Sequence, residues 1–467
     1  MSDLSTACSC SCTCAASGGP GWARLGLGVL GEYVPTTLVD EVLAATGRVQ
    51  QRIRRLPARV TVLFILALTL FTNLGYRGVW RELAHSGGAG GDPPSSSGLA
   101  QARRRVGLAP LAALFTRVRG TRATAATPGA FRFGLRLVSW DATMLDTPDS
   151  DDNAEAFIRS RNRKGGGAFP KVRLMTLIEV GTHAVIDATF GPDSEQVQAR
   201  ALLGALRPGM LLLADRNFPS WKLWNEAAAT GAHLLWRAKA NLHLPRIATF
   251  TDGSWLAVLP KPRSGHRVGT WVRVIEYTVT VTATCPTTGA VTTRTELFRL
   301  LTTITDPTTA SAAELAGCYR ERWESETCFK SIKTHQRGPR AVLRSTDPDG
   351  IRQEIYAYLI TYQAIRHLIV QAATDAGVDP DRLSFTTALR AARRWITTTA
   401  TATTTALATA RTAAITEISR DTQYRRDRSS PRAVKRSQAP YPAKRHANQQ
   451  TSTNVGYHID VIPDPHT

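Results

Sequence analysis

Acidic residues are in short supply. The 467-residue chain has 37 Asp and Glu against 58 Lys and Arg, a net charge of +21. A surplus of that size points to a polyanionic partner, with nucleic acid first and a membrane surface second. A long hydrophobic run is also missing. The best one, Val60 to Phe71 within RVTVLFILALTLFTN, is about 12 residues where a membrane span needs about 20. It reads as a buried helix, and a membrane partner is not expected. No basic n-region precedes an apolar h-region at the N-terminus, so no secretory signal is read there. Paired cysteine spacing is absent too. Four of the seven cysteines alternate in CSCSCTC, at Cys8, Cys10, Cys12 and Cys14, and Cys285, Cys318 and Cys328 are scattered. That pattern is not the C-x2-C of a zinc site. Reduced thiols and a cytoplasmic, nucleoid-associated protein are expected.

What is present divides the chain into segments. Residues 1–22 form a Ser/Cys tail expected to be disordered. Residues 23–125 read as a helical region, with two helices broken near Leu56-Pro57, a flexible linker at 85–98, and a basic helical stretch over 102–120. Arg103, Arg104 and Arg105 in that stretch are a candidate phosphate-contacting cluster. An α/β segment fills 126–242. FGLRLVSWD reads as a strand ending in Asp141, and KVRLMTLIEV and THAVIDATF as a hairpin around Gly181-Thr182. A helix follows. GMLLLADRNF is then a wholly apolar, centrally placed strand ending in Asp215, followed by another helix and strand. Residues 243–306 alternate and are rich in Thr and Val, which marks a β insertion. Residues 307–395 return to helix. Residues 396–467 are Thr/Ala-rich and then basic, and read as a disordered tail that adds nonspecific DNA affinity.

One stretch carries the chemistry. YRERWESETCFKSIK runs from Tyr319 to Lys333 without Gly or Pro. On an α-helix, at about 100° per residue, Tyr319, Arg322, Glu326 and Lys333 share an arc of about 60°. One face then offers a carboxylate among three groups that bind phosphate well. A solvated salt-bridged face fits those residues equally well, because Arg322 and Glu326 are an i,i+4 pair. Asp141 and Asp215 at strand ends, with Glu326 from a nearby helix, would give three oxygen ligands suited to Mg²⁺. Two such ions would clamp the attacking and leaving oxygens of a phosphoryl displacement. Asp146, Asp149, Asp151 and Asp152 follow Asp141 in a Pro-containing loop and read as turn residues. Asp187 lies inside a hairpin strand. Glu321 and Glu324 point away from the Tyr319 face, and His183 and His335 read as ordinary polar residues.

Tyr319, Arg322, Glu326 and Lys333 match Y-x2-R-x3-E-x6-K, and the chain resembles the DDE transposases of insertion-sequence family four. The resemblance covers about residues 25–395 and includes GVLGEYVPTTLVDEVLAATGRVQQRIRRLPARVTVLFILALTLF, LLLADRNFPSWKLW and RAVLRSTDPDGIRQEIYAYLITYQAIR. It implies an α/β, ribonuclease H-like catalytic core interrupted by the β insertion, with a DNA-binding helical N-terminal domain. It implies that Asp141, Asp215 and Glu326 are the catalytic, metal-binding triad for two Mg²⁺ ions, with Mn²⁺ able to substitute. It implies that Tyr319 and Arg322 hold phosphates beside the cleavage point and that Lys333 contacts DNA. The partners implied are double-stranded DNA, as terminal inverted repeats and target, and a second subunit in a homodimeric synaptic complex. Ala142 stands where family members often have Gly. Trp255 and Trp271, in the insertion, are candidates for stacking on a flipped base, with core packing equally open. Rival functions are a ribonuclease H-like structure-specific nuclease and a catalytically silent, transposase-derived DNA-binding protein.

Overall fold

A computed structural model describes residues 25–50, 56–85, 93–159, 169–239, 241–263, 269–284, 289–339, 341–399, 404–423, 428–429 and 453–462. The cysteines of the N-terminal tail, Cys285 and most of the basic C-terminal segment lie outside them. Among the described residues, no helix is long and apolar enough to cross a membrane. Cys318 and Cys328 are buried free thiols.

The N-terminal region consists of α1 (Thr36–Ala45), α2 (Ala58–Leu68), α3 (Tyr76–His85), α4 (Ser96–Val106) and α5 (Ala109–Val118). The apolar run predicted to be a buried helix is one: every residue of α2 except Arg59 is buried. The break near Leu56-Pro57 is present: Pro57 caps α2, although α1 already ends at Ala45, just before Gly47 in the left-handed region (φ +65°). Two sequence expectations are corrected here. The end of the supposed linker is the cap of α4, where Ser95 Oγ accepts from the amide of Gly98. The basic stretch is also two helices. Gly107 breaks it at φ +71°, a conformation glycine adopts without steric cost.

The α/β core contains β1 (Phe131–Arg132), β2 (Leu135–Asp146), α6 (Asp151–Ala156), β3 (Lys171–Glu179), β4 (Val185–Gly191), α7 (Glu195–Leu202), β5 (Met210–Ala214), α8 (Trp221–Ala228) and β6 (His233–Arg237). The insertion adds β7 (Ala248–Thr249), β8 (Trp255–Pro260), β9 (Gly269–Thr284) and β10 (Val291–Thr302). After it come α9 (Ala312–Tyr319), α10 (Glu324–Lys330), α11 (Pro348–Ala376), α12 (Phe385–Thr399) and α13 (Thr404–Arg420), then β11 (Arg428–Ser429) and β12 (Thr453–Val461). The central sheet runs β11-β12-β9-β10-β6-β5-β2-β3-β4. β4, β3 and β2 are antiparallel neighbours, whereas β2, β5 and β6 are parallel. That is the ribonuclease H-like order the sequence implied. β10 returns from the insertion to pair with β6, so the insertion widens the sheet instead of leaving it.

Helices cover both faces. One core joins the N-terminal helices to α11, α12 and α13 and to one face of the sheet; a second lies under α7, α8 and β8 on the other face. The chain after residue 396 is not tail throughout. Ala410, Ala414 and Ile418 of α13 are buried, and β12 pairs with β9. Apolar spacing at i, i+4 and i+8 marked this helix, but its Thr/Ala composition hid it.

Polar bonds fasten the N-terminal helices to the core. Thr69 Oγ1 lies 2.7 Å from Thr361 Oγ1, and Arg344 donates to the carbonyls of Thr72 and Leu74. Arg103 corrects an expectation. Its side chain is buried and donates to Gln353 (3.0 Å), Ser345 (3.1 Å) and the Tyr76 hydroxyl, so no donor faces a phosphate. Arg104 and Arg105 are exposed. Arg103→Ala strands several buried acceptors and is expected to cost about 3 kcal/mol in chemical denaturation, while Arg104→Ala stays within about 0.5 kcal/mol.

Candidate functional site

The register of two parallel strands builds the site. β2 and β5 pair from Arg136↔Met210 to Ser139↔Leu213. The same offset carried two residues on sets Asp141 beside Asp215. β5 ends at Ala214, so Asp215 enters a turn closed by Phe218 N donating to its carbonyl at 3.1 Å. Asp141, by contrast, is not at a strand end. β2 continues to Asp146, paired on its other side with β3. A crevice opens because β5 stops, leaving one edge of β2 without its parallel partner.

The segment with the third acid is not one α-helix. α9 ends at Tyr319, a 3-10 turn covers Arg320–Trp323, α10 follows, and Ser331–Gln336 is π-helical. In a 3-10 turn, residues three apart eclipse one another, so Tyr319 and Arg322 come closer in direction than uniform α geometry allows. π segments are rare and are frequently found at functional sites.

Each member of the segment meets the sheet. The buried Tyr319 hydroxyl donates to the carbonyl of Ala214 at 3.1 Å, directly before Asp215. That commitment corrects the expectation of a phenol facing phosphate. Arg322 Nη1 lies 3.5 Å from Asp141 Oδ2. Lys333 Nζ donates to Thr143 Oγ1 at 3.0 Å, two residues beyond Asp141 on β2. Ser325 Oγ donates to Ser139 Oγ at 2.8 Å.

The charges respond to one another. Burial pushes the Asp141 carboxyl up to about 6; the Ala142 amide and Arg322 pull it down, and Glu326 and Asp215 push it further up. Burial opposes charge on Arg322 as well, yet Tyr319, Asp215, Asp141 and Glu326 hold its pKa above the usual value. Burial, then Arg337, lowers that of Lys333. Asp141, Asp215 and Glu326 are therefore electrostatic neighbours sharing one guanidinium. Among the described residues, no three His, Cys, Asp or Glu side chains yet stand together at ligating distances. Arg322 is the positive charge that the acids share instead. The donor set, carboxylate oxygens only, suits a hard divalent cation.

Competing acids are occupied elsewhere. Asp187 pairs with Arg119, Asp149 with Arg159, and buried Glu179 accepts from Arg136, Thr182 and two backbone amides. Trp255 is 3% exposed and belongs to the core, whereas Trp271 is 56% exposed. Two further residues flank the segment that carries Glu326. Trp323, beside Arg322, is 54% exposed. His183, read as an ordinary polar residue, is buried against Glu324.

The chain matches the family model for the insertion element 4 transposase N-terminal region over residues 24–116, and that for the transposase DDE domain over residues 132–364. It is 27% identical over 431 residues to transposase InsG for insertion sequence element IS4 of Escherichia coli K12, spanning 88% of this chain and 93% of that protein. It is 29% identical over 214 residues to the putative transposase InsZ of the same organism, 44% of this chain and 69% of that one. Among solved structures, the piggyBac transposase synaptic complex with hairpin DNA aligns over 83% of this chain and 84% of that chain, with TM-score 0.43 and 9% identity.

The raised pKa of Asp141 gives a signed expectation for the metal-free protein. The folded state holds this proton more tightly than the unfolded chain, so the stabilisation is complete below about pH 4 and is lost as pH rises through about 6. In EDTA, wild type should lose up to about 3 kcal/mol across that window relative to Asp141→Asn, read as the difference between their denaturation curves.

Proposed function

Since the chain belongs to the insertion element 4 family of DDE transposases, DNA-cleaving and strand-transferring enzymes that work with a divalent metal, we propose that Asp141, Asp215 and Glu326 hold that metal and that it is Mg²⁺. Two ions are proposed, with Mn²⁺ able to substitute. The supporting observation is the electrostatic convergence of these three acids, from β2, the end of β5 and α10, around Arg322. When bound, the metal activates water and stabilises the attacking and leaving oxygens of an in-line displacement.

The protein's own residues position the DNA. Arg322, 3.5 Å from Asp141, would offer a bidentate guanidinium to a phosphate next to the cleavage point. Lys333 supplies a second positive charge beyond Asp141 on β2. Tyr319 holds the strand end that carries Asp215. The exposed Arg104 and Arg105 belong to the helical region, which recognises the terminal inverted repeats of double-stranded DNA; phosphate contacts there fix register. The reaction is cut-and-paste: cleavage at each element end, then transfer of the freed 3′-hydroxyl to the opposite strand and to target DNA. A homodimer holds the two ends together, and the enzyme works on the nucleoid in the cytoplasm.

A labelled duplex carrying the gene's flanking end tests this. Wild type is expected to cut at the element boundary with Mg²⁺. Glu326→Gln is expected to bind the same duplex within about twofold and to lose at least about a thousandfold in cleavage, since an electrostatic contribution of several kcal/mol goes with the charge. Binding without cleavage by both proteins would overturn the catalytic assignment in favour of a DNA-binding protein. Cleavage indifferent to the end sequence would favour a nuclease.

A further inference from the structure

The two residues before Glu326 are both tied to the sheet. Ser325 bonds Ser139. Glu324 Oε2 lies 2.7 Å from His183 Nε2, and a carboxylate can only accept, so the imidazole donates. Neighbours along a helix point about 100° apart, and residues two apart about 200°. A single bond would leave α10 free to roll about its axis. Two bonds in different directions, one of them on the side nearly opposite Glu326, fix that rotation.

His183 is held for this task. Its side chain is 2% exposed and its backbone is left-handed, φ +57°, in the turn between β3 and β4. Non-glycine residues are uncommon there, and the conformation costs on the order of 1 kcal/mol. Surrounding structure imposes it. The Tyr362 hydroxyl donates to the His183 carbonyl at 2.9 Å, and Val185 N donates to Gln363 Oε1 at 2.7 Å, both from α11. Beneath the same turn, a Cβ on Gly181 would meet the Ala130 backbone at 2.6 Å, so the turn is pressed against the core. Strain maintained from two sides, by α11 and by the backbone at Ala130, is a sign of function.

We infer that His183 is a positioning residue for strand cleavage. By holding Glu324 it sets the rotation of α10, and so the direction in which Glu326 faces Asp141 and Asp215. This rests on the assignment of Glu326 to the metal. The effect is that of a partner one shell removed from a ligand: it changes how tightly the metal is held more than how tightly DNA is held.

Three full-length variants test it with Mg²⁺ and the labelled element end. His183→Asn suits the left-handed turn but is too short to reach Glu324. His183→Gln places an amide nitrogen near the position of Nε2. His183→Asn/Glu324→Gln removes both partners. The Asn variant is expected to bind the duplex within about twofold, to melt like wild type, and to need about tenfold more Mg²⁺ for half-maximal cleavage. The Gln variant should recover most of that loss, and the double variant should be no worse than the Asn variant, the mark of a single coupled contact. A wild-type Mg²⁺ dependence for His183→Asn would overturn the inference. So would a loss in both Asn and Gln variants that tracks a lowered melting temperature, which would make His183 structural only. The two assignments fail separately: if Glu326→Gln still cuts, the metal assignment falls, whereas if it is dead and His183→Asn responds normally to Mg²⁺, only the positioning role falls.

Discussion

Burial of a carboxylate beside two others is the constraint on which this site depends. Asp215 and Glu326 lie close enough to Asp141 to add to the rise in its proton affinity that burial begins, and one guanidinium, Arg322, is shared among the three. That single charge does not neutralise the group. The Asp141 carboxyl stays near 6 despite the Arg322 ion pair and a bond from the Ala142 amide. A pocket with more negative than positive charge, partly removed from water, would relax if its walls could move apart. It persists because the walls are strands in a nine-strand path and a segment bonded to them.

That segment, Tyr319 to Gln336, passes from α through 3-10 and α to π geometry within 18 residues of chain. Such changes of helical period weaken the backbone ladder and survive when side chains over-determine them. Here they do. Tyr319 bonds Ala214, Ser325 bonds Ser139 and Lys333 bonds Thr143. The π turn is gripped from the other side by α11: Arg366 donates to Ser331, and Gln336 donates to Thr361 and the Tyr358 carbonyl. The irregular period serves a purpose. It lets side chains that a uniform helix would place on one stripe address two different strands, β5 and β2.

Much of this was legible in the sequence. The apolar run before Asp215 marked a central strand, and the spacing of Tyr319, Arg322, Glu326 and Lys333 marked one segment, which is bonded to β5 and β2. What was hidden has physical causes. Strand propensity continues past Asp141 through ATML, so no local signal ends the strand there; the crevice is made by where β5 ends. Helix periodicity assumes one period, so the roles of Tyr319 and Arg322 could not be separated. Trp255 and Trp271 both look like strand aromatics, and only the pairing of β8 with β9 decides which one is covered. His183 acts through a residue 141 positions away, a contact with no sequence signature.

Net charge misled in a more instructive way. A surplus of Lys and Arg suggests a surface facing DNA, yet Arg103, Arg273, Arg337 and Arg366 are each at most 5% exposed. Arginine suits such interior posts because its five donors spread over a planar fork and can satisfy several acceptors at once. Arg273 joins Asp252 and Ser254 to the Ala310 carbonyl, and Arg103 joins α4 to α11. Each ties together segments distant in sequence, which a lysine with one point charge would do less well. The positive field offered to nucleic acid therefore comes from the arginines left outside, such as Arg104, and not from composition. Two neighbours in one triplet, Arg103 and Arg104, divide these tasks because α4 turns by about 100° per residue. One points into the junction between the N-terminal helices and the core, and the other points to solvent.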